Sequence, residues 1–88
     1  MNIQDIIITK VKEAIHSIFD KELETVELQA TRKEFEGDIT VVIFPMLRTI
    51  KGNPQLIGEQ IGTYLEANVT EIEKFNVVKG FLNLVISD

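Results

Sequence analysis

The sequence predicts an α+β fold, with two main helices packed on one face of a small antiparallel sheet of three or four strands. Three observations lead to this prediction: apolar residues recur at helical spacing in two segments, they alternate with period two in others, and turn-forming pairs separate the segments. With 88 residues, the chain has room for a single domain, residues 1–88. Its 44% apolar and 26% charged residues are typical of a folded domain.

Two helices are predicted from their caps and apolar stripes. Asn2 and Asp5 resemble a capping box before a helix over residues 3–20, whose apolar positions are Ile3, Ile6, Ile7, Val11, Ala14, Ile15, Ile18 and Phe19. Asn53-Pro54 offers a cap and a first-turn proline for a helix to about residue 67, with an apolar face of Leu56, Ile57, Gln60 or Ile61, Tyr64 and Leu65. Gly58 and Gly62 on one side of this helix predict that a neighbouring backbone comes close.

The remaining segments are predicted as strands and turns. Residues 25–31 alternate as a half-buried strand, and Gly37-Asp38 is suited to a structural turn. Residues 39–44 are rich in β-branched side chains and indicate a strand, after which Pro45 opens a short helix through residue 50. Residues 72–87 are predicted to form two strands around Lys79-Gly80.

Composition excludes several classes of site. Without cysteine there is no disulfide, thiolate metal site or cysteine nucleophile, and the single histidine, His16, has no catalytic partner in the sequence. We therefore expect no catalytic residue, no metal and no cofactor within these residues. The chain also lacks a signal peptide and an apolar run of the roughly 18 residues that a membrane span needs, so we expect a cytoplasmic location without membrane contact.

One pair of residues is suited to binding RNA. Phe81 and Asn83 are two apart in the last predicted strand, so both side chains project on one face, where an aromatic ring and an amide can hold an unstacked base. A phenylalanine in a strand is more often part of the core, so the pattern alone leaves both interpretations open. The net charge of −5 opposes autonomous binding of nucleic acid but is compatible with a module attached to a larger body.

The order of the segments resembles the N-terminal additional domain of arginyl-tRNA synthetases over nearly the whole chain. The turn Gly37-Asp38 is similar to the family's "FGD" or "HGD" turn. The second helix is similar to its "NPRELAEEI" pattern, at Asn53, Pro54, Ile57, Glu59 and Ile61. The end of the chain is similar to its "AGPGFINI" strand, at Val77, Val78, Lys79, Gly80, Phe81, Leu82, Asn83 and Leu84.

This resemblance implies a domain that contacts the D-loop of arginine tRNA. It assigns base contact to Phe81 and Asn83. Val78-Lys79 stands where the family has Gly-Pro, so Lys79 is expected to meet a phosphate, and Gly37, Asp38 and Gly80 are expected to be structural. The parent would be an arginine–tRNA ligase, a class I synthetase that uses ATP; its "HIGH" and "KMSK" signatures are absent from these residues. We expect binding only in the full-length enzyme. A protein-interaction or structural module without nucleic-acid contact remains the alternative.

Overall fold

The computed structural model describes residues 2–87 and has two layers, one of helices and one of strands. The elements are α1 (Ile3–Phe19), β1 (Leu28–Ala30), β2 (Ile39–Val42), a 3₁₀-helix (Phe44–Arg48), α2 (Pro54–Asn68), β3 (Ile72–Val78) and β4 (Phe81–Ile86). The four strands form one sheet in the order β1-β2-β4-β3, and every neighbouring pair is antiparallel. The predicted α+β class, with helices against one face of an antiparallel sheet, is confirmed.

The helix ends follow the local sequence signals. The Asn2 side chain accepts a hydrogen bond from the Asp5 backbone N–H at 2.9 Å, and Asp20 ends α1 in a left-handed conformation with φ 56°. Asn53 caps α2 by accepting from the N–H groups of Gln55 and Leu56, and Pro54 occupies the first turn. These caps satisfy N–H groups that have no partner within the helix.

The core lies between the helices and the inner face of the sheet. Ile7, Val11 and Ile15 of α1 are fully buried, as are Leu82 and Leu84 of β4. On α2 the buried face differs from the prediction, because Leu56 is 59% exposed whereas the two glycines face the sheet. The other buried side chains of this core are Ala14, Val41, Ile43, Met46, Ile50, Ile57, Ile61, Leu65, Val69 and Ile72.

The two glycines of α2 make room for side chains, not for a backbone. A Cβ atom on Gly58 would lie 2.8 Å from Val77 Cγ1, and one on Gly62 would lie 2.5 Å from Phe75 Cδ2. The prediction of a close neighbour was correct, but the predicted kind of neighbour was wrong. Helix α2 therefore approaches β3 closely and covers the inner face of the sheet there.

The first strand is shorter than its alternating pattern predicts. Only Leu28, Gln29 and Ala30 pair with β2, and the carbonyl of Glu27 accepts one further hydrogen bond from Val42 N–H. Strand β2 itself has only four residues, so the preceding residues of the segment lack a partner strand. The chain between β1 and β2 crosses the outer face of the sheet, and this crossing forms the candidate site.

Candidate nucleic-acid interface

The outer face of the sheet carries Phe81 and Asn83 side by side along β4. Their neighbours in the chain, Leu82 and Leu84, are fully buried against the helices, so the alternation predicted for this strand is observed. In register, Asn83 lies opposite Thr40 of β2 and Asn76 of β3. A row of polar side chains therefore crosses three strands on the face away from the helices.

Asn83 is inaccessible despite its position on the outer face. Its exposed fraction is 0%, its Oδ1 accepts from the Thr40 hydroxyl at 2.6 Å, and its Nδ2 donates to Asn76 Oδ1 at 2.9 Å. A Cβ atom on Gly37 would lie only 3.2 Å from Asn83 Cβ, which shows how closely the loop covers it. The amide was expected to be open to a base, but it is buried here because the β1–β2 connection lies on top of it.

The hydrogen bonds continue on both sides of Asn83 and tie the covering loop, residues 31–38, to the sheet. The hydroxyls of Thr31 and Thr40 lie 2.8 Å apart, and Asn76 Nδ2 donates to the Glu36 carbonyl at 2.7 Å. The ladder of Thr31, Thr40, Asn83, Asn76 and the Glu36 carbonyl thus begins and ends in the covering loop. Among the described residues, no buried side-chain nitrogen or oxygen atom lacks a partner.

Asp38 fixes the far end of the covering loop. Its backbone N–H donates to the Leu84 carbonyl at 2.8 Å, and its carboxylate accepts from the Ile86 N–H at the same distance. A salt bridge of 2.9 Å joins Glu36 to Lys74 at the outer side. The hydrogen bond to Glu36 and its charge raise the pKa of Lys74, so the contribution of this lysine to stability is present at neutral pH and is lost as the pH rises through its folded-state pKa.

Phe81 is partly exposed beside the covering loop. The guanidinium carbon of Arg32 lies 4.9 Å from the centroid of the Phe81 ring, and the Phe35 ring lies 6.4 Å away at a tilt of 36°. The hydrogen bond from Phe35 N–H to the Arg32 carbonyl closes a turn between them. Sequence reasoning assigned no role to either residue, because a lone arginine and phenylalanine in a polar loop give no signal of which strand they will contact.

Lys79 and Gly80 form the two-residue turn between β3 and β4. Both have positive φ, 51° and 80°, as a type I′ hairpin turn requires. Lys79 is exposed, two residues before Phe81, whereas Gly80 is buried beneath the Phe44 ring. Any side chain at position 80 would collide with that ring, so glycine is needed there for both conformation and space.

The backbone of Lys79 leads to a prediction about stability. A left-handed conformation costs most residues about 1–2 kcal/mol, and asparagine tolerates it best after glycine. We expect Lys79→Asn to raise the free energy of unfolding by about 0.5–1 kcal/mol in urea titrations of this chain. Lys51→Asn, at an exposed loop position without positive φ, is the control and should give no gain. Equal effects of the two changes would contradict the assignment to turn conformation.

The acidic and histidine side chains that the structure describes are spread over the surface of the domain. Residues 2–87 contain no group of three or more His, Cys, Asp or Glu side chains placed to hold a metal ion. His16 is exposed, and its Nδ1 lies 3.2 Å from a Glu22 carboxylate oxygen on the surface of the helical layer. Among the same residues, no helix has the length and apolar character to cross a membrane.

A four-stranded antiparallel sheet, covered by two helices on one face and crossed by a tethered loop on the other, defines a small α+β domain. The model of the family described as the arginyl tRNA synthetase N terminal domain matches residues 5–86. The chain therefore belongs to the arginyl-tRNA synthetase N-terminal domain family.

Relatives and a solved structure agree with this family. The chain is 49% identical over 98 residues to an arginine–tRNA ligase of Flavobacterium psychrophilum, and 40% identical over 89 residues to one of Bacteroides fragilis. These alignments cover 100% and 99% of this chain but only 16% and 15% of the relatives. Thermus thermophilus arginyl-tRNA synthetase has the same fold over 97% of this chain and 14% of its own, with a TM-score of 0.79 at 18% identity.

Proposed function

We propose that this domain is the tRNA-contacting N-terminal part of an arginine–tRNA ligase and that it binds the D-loop of arginine tRNA. The family assignment supports the ligase, because the relatives that match the chain over its whole length carry that name. The remainder of such a ligase would bind ATP and arginine in the cytoplasm. The present domain would assist by holding the tRNA.

The observation that carries the RNA contact is the partly exposed ring of Phe81 on the sheet face that the helices leave open. An unpaired base can pack its face against such a ring, since stacking requires only a flat apolar surface that water reaches. Lys79 lies two residues away in an exposed turn, where its ammonium group can approach a phosphate of the same nucleotide. Both residues belong to the hairpin that joins β3 and β4.

In this proposal Asn83 has a supporting role, whereas the Phe81 ring contacts the base. Because its amide is buried and bonded to Thr40 and Asn76, it holds the floor of the interface in place. The hydrogen bond from Asn76 to the Glu36 carbonyl passes this constraint on to the covering loop. Direct contact between Asn83 and a base would require the covering loop to move aside.

The test is Phe81→Leu in the full-length ligase, because leucine keeps an apolar side chain but removes the flat ring. Base–aromatic stacking contributes about 1–3 kcal/mol per base, so we expect kcat/KM for tRNA to fall roughly ten-fold while kcat/KM for ATP stays unchanged. Leu56→Ala, an exposed apolar change on the helical layer, is the matched control. Unchanged charging and tRNA affinity in Phe81→Leu would refute the proposal and favour the protein-interaction alternative.

A further inference from the structure

Arg32 is the cation that the fold brings to Phe81. Its guanidinium carbon lies 4.9 Å from the ring centroid, within the range of a cation–π contact. The residue as a whole is exposed to solvent. A guanidinium is planar, stacks on flat π-systems and presents several N–H donors in a fixed geometry.

The covering loop holds Arg32 at this place from both ends. Just after β1, the Thr31 hydroxyl contacts the Thr40 hydroxyl at 2.8 Å, while Asn76 binds the Glu36 carbonyl at the other end. Between them, the turn closed by Phe35 N–H and the Arg32 carbonyl sets the direction in which the arginine leaves the loop. A loop tethered in this way loses less conformational entropy when a ligand binds to it.

Because the domain is negatively charged overall, a cation held at a fixed position is important for attracting RNA. The chain carries a net charge of −5, so its overall field repels RNA, and attraction must come from single cations at the contact. Lys74 is already paired with Glu36 of the covering loop at 2.9 Å. Within residues 2–87, Arg32 forms no salt bridge and its charge is available to a ligand.

We propose that Arg32 is a further RNA-binding residue, which takes the face of an unpaired base on its outer side and donates to the adjoining phosphate. This inference rests on the proposed function and refines it: the base packs on the guanidinium of Arg32, which itself lies over the Phe81 ring. The ring supports the guanidinium from below, and the bound nucleotide covers it from above. Recognition of this kind selects a flipped-out nucleotide with its phosphate and not a duplex, whose bases are stacked.

The experiment compares Arg32→Gln, Arg32→Lys and Lys33→Gln in the full-length ligase, measuring the Kd for arginine tRNA over a series of salt concentrations. Lys33 is the matched control because it is an exposed cation of the same loop, and its loss changes the net charge equally. We expect Arg32→Gln to raise Kd roughly ten-fold and Lys33→Gln to raise it only about two-fold. Arg32→Lys should keep the salt dependence of the wild type but recover little affinity, because an ammonium group cannot stack.

Three results distinguish this inference from the proposed function. If Phe81→Leu weakens tRNA binding but Arg32→Gln matches Lys33→Gln, the inference is wrong and the proposed function survives. If Arg32→Gln binds tRNA more tightly than the wild type, Arg32 covers the ring and excludes the base, which also overturns the inference. If neither Phe81→Leu nor Arg32→Gln changes Kd or kcat/KM, the proposed function itself fails. Thermal melts confirm that each variant is folded, as expected for the exposed positions of Arg32 and Lys33.

Discussion

Replacing Asn83 by aspartate is expected to lower the free energy of unfolding by about 3–5 kcal/mol at pH 7, because it places a carboxylate at a site that water does not reach. The introduced group could still accept a hydrogen bond from the Thr40 hydroxyl. Towards Asn76 it would present an oxygen where the amide now donates to Asn76 Oδ1, so two acceptors would face each other. Rotation of the Asn76 amide would relieve that repulsion only by breaking its bond to the Glu36 carbonyl.

The loss of stability in Asn83→Asp should depend on pH, and burial of the introduced carboxyl determines whether it grows or shrinks as the pH rises. Burial raises the pKa of the introduced carboxyl in the folded state above its unfolded value of about 3.9. The unfolded state therefore loses its proton first, so destabilisation grows as pH rises above about 4 and becomes constant above the folded-state pKa. Below that range the neutral acid can donate to Asn76 Oδ1, and most of the lost stability returns.

Urea titrations of the 88-residue chain between about pH 3.5 and 8 test this expectation. Asn83→Leu is the control at the same site, because it also removes both amide hydrogen bonds but introduces no charge. Its loss should therefore stay independent of pH relative to the wild type. The Thr40 hydroxyl can turn towards Thr31 in that variant, so only the Asn76 oxygen is left without its donor. A flat pH profile for Asn83→Asp would mean that water reaches this amide.

The contrast between Phe81 and Asn83 shows how far the sequence predicts the site. Their shared face follows from strand periodicity, and so do the buried positions of Leu82 and Leu84 on the opposite face. The burial of Asn83 follows from contacts that are remote in sequence, since Thr40 lies 43 residues away and the loop that covers it precedes β2. Periodicity gives the direction of a side chain, but it does not give what a distant loop places above it.

In the fold, too, the features set by local sequence were predictable, whereas those set by contacts remote in sequence were not. Helix starts at Asn2 and Asn53 and the hairpin at Lys79-Gly80 were predicted because their signals act within a few residues. The central position of β4 between β2 and β3 depends on pairing that no local signal encodes. The exposure of Leu56 has the same origin, because the two glycines turn a different side of α2 towards β3. Rules of helix periodicity could not identify that side.

Gly62→Ala is expected to destabilise the domain by about 2 kcal/mol, although alanine is the better helix former. In an exposed helix interior, the substitution would contribute roughly 1 kcal/mol of stability. Here the added Cβ would lie 2.5 Å from Cδ2 and 2.6 Å from Cε2 of the Phe75 ring, closer than carbon atoms can approach. A ring is rigid, so either Phe75 must leave its rotamer or α2 must move away from β3, and both loosen the core.

A double-mutant cycle with Phe75→Leu determines whether the ring causes this loss. Leucine at position 75 leaves space for the new methyl group, so Gly62→Ala should cost at least about 1 kcal/mol less in that background than in the wild type. Thr63→Ala, at the adjacent exposed position of α2, is the control for helix propensity and should be neutral or stabilising. If Gly62→Ala stabilises the chain as much as Thr63→Ala does, the ring yields without cost. The contact between α2 and β3 would then tolerate a larger side chain at position 62, and glycine would not be required there.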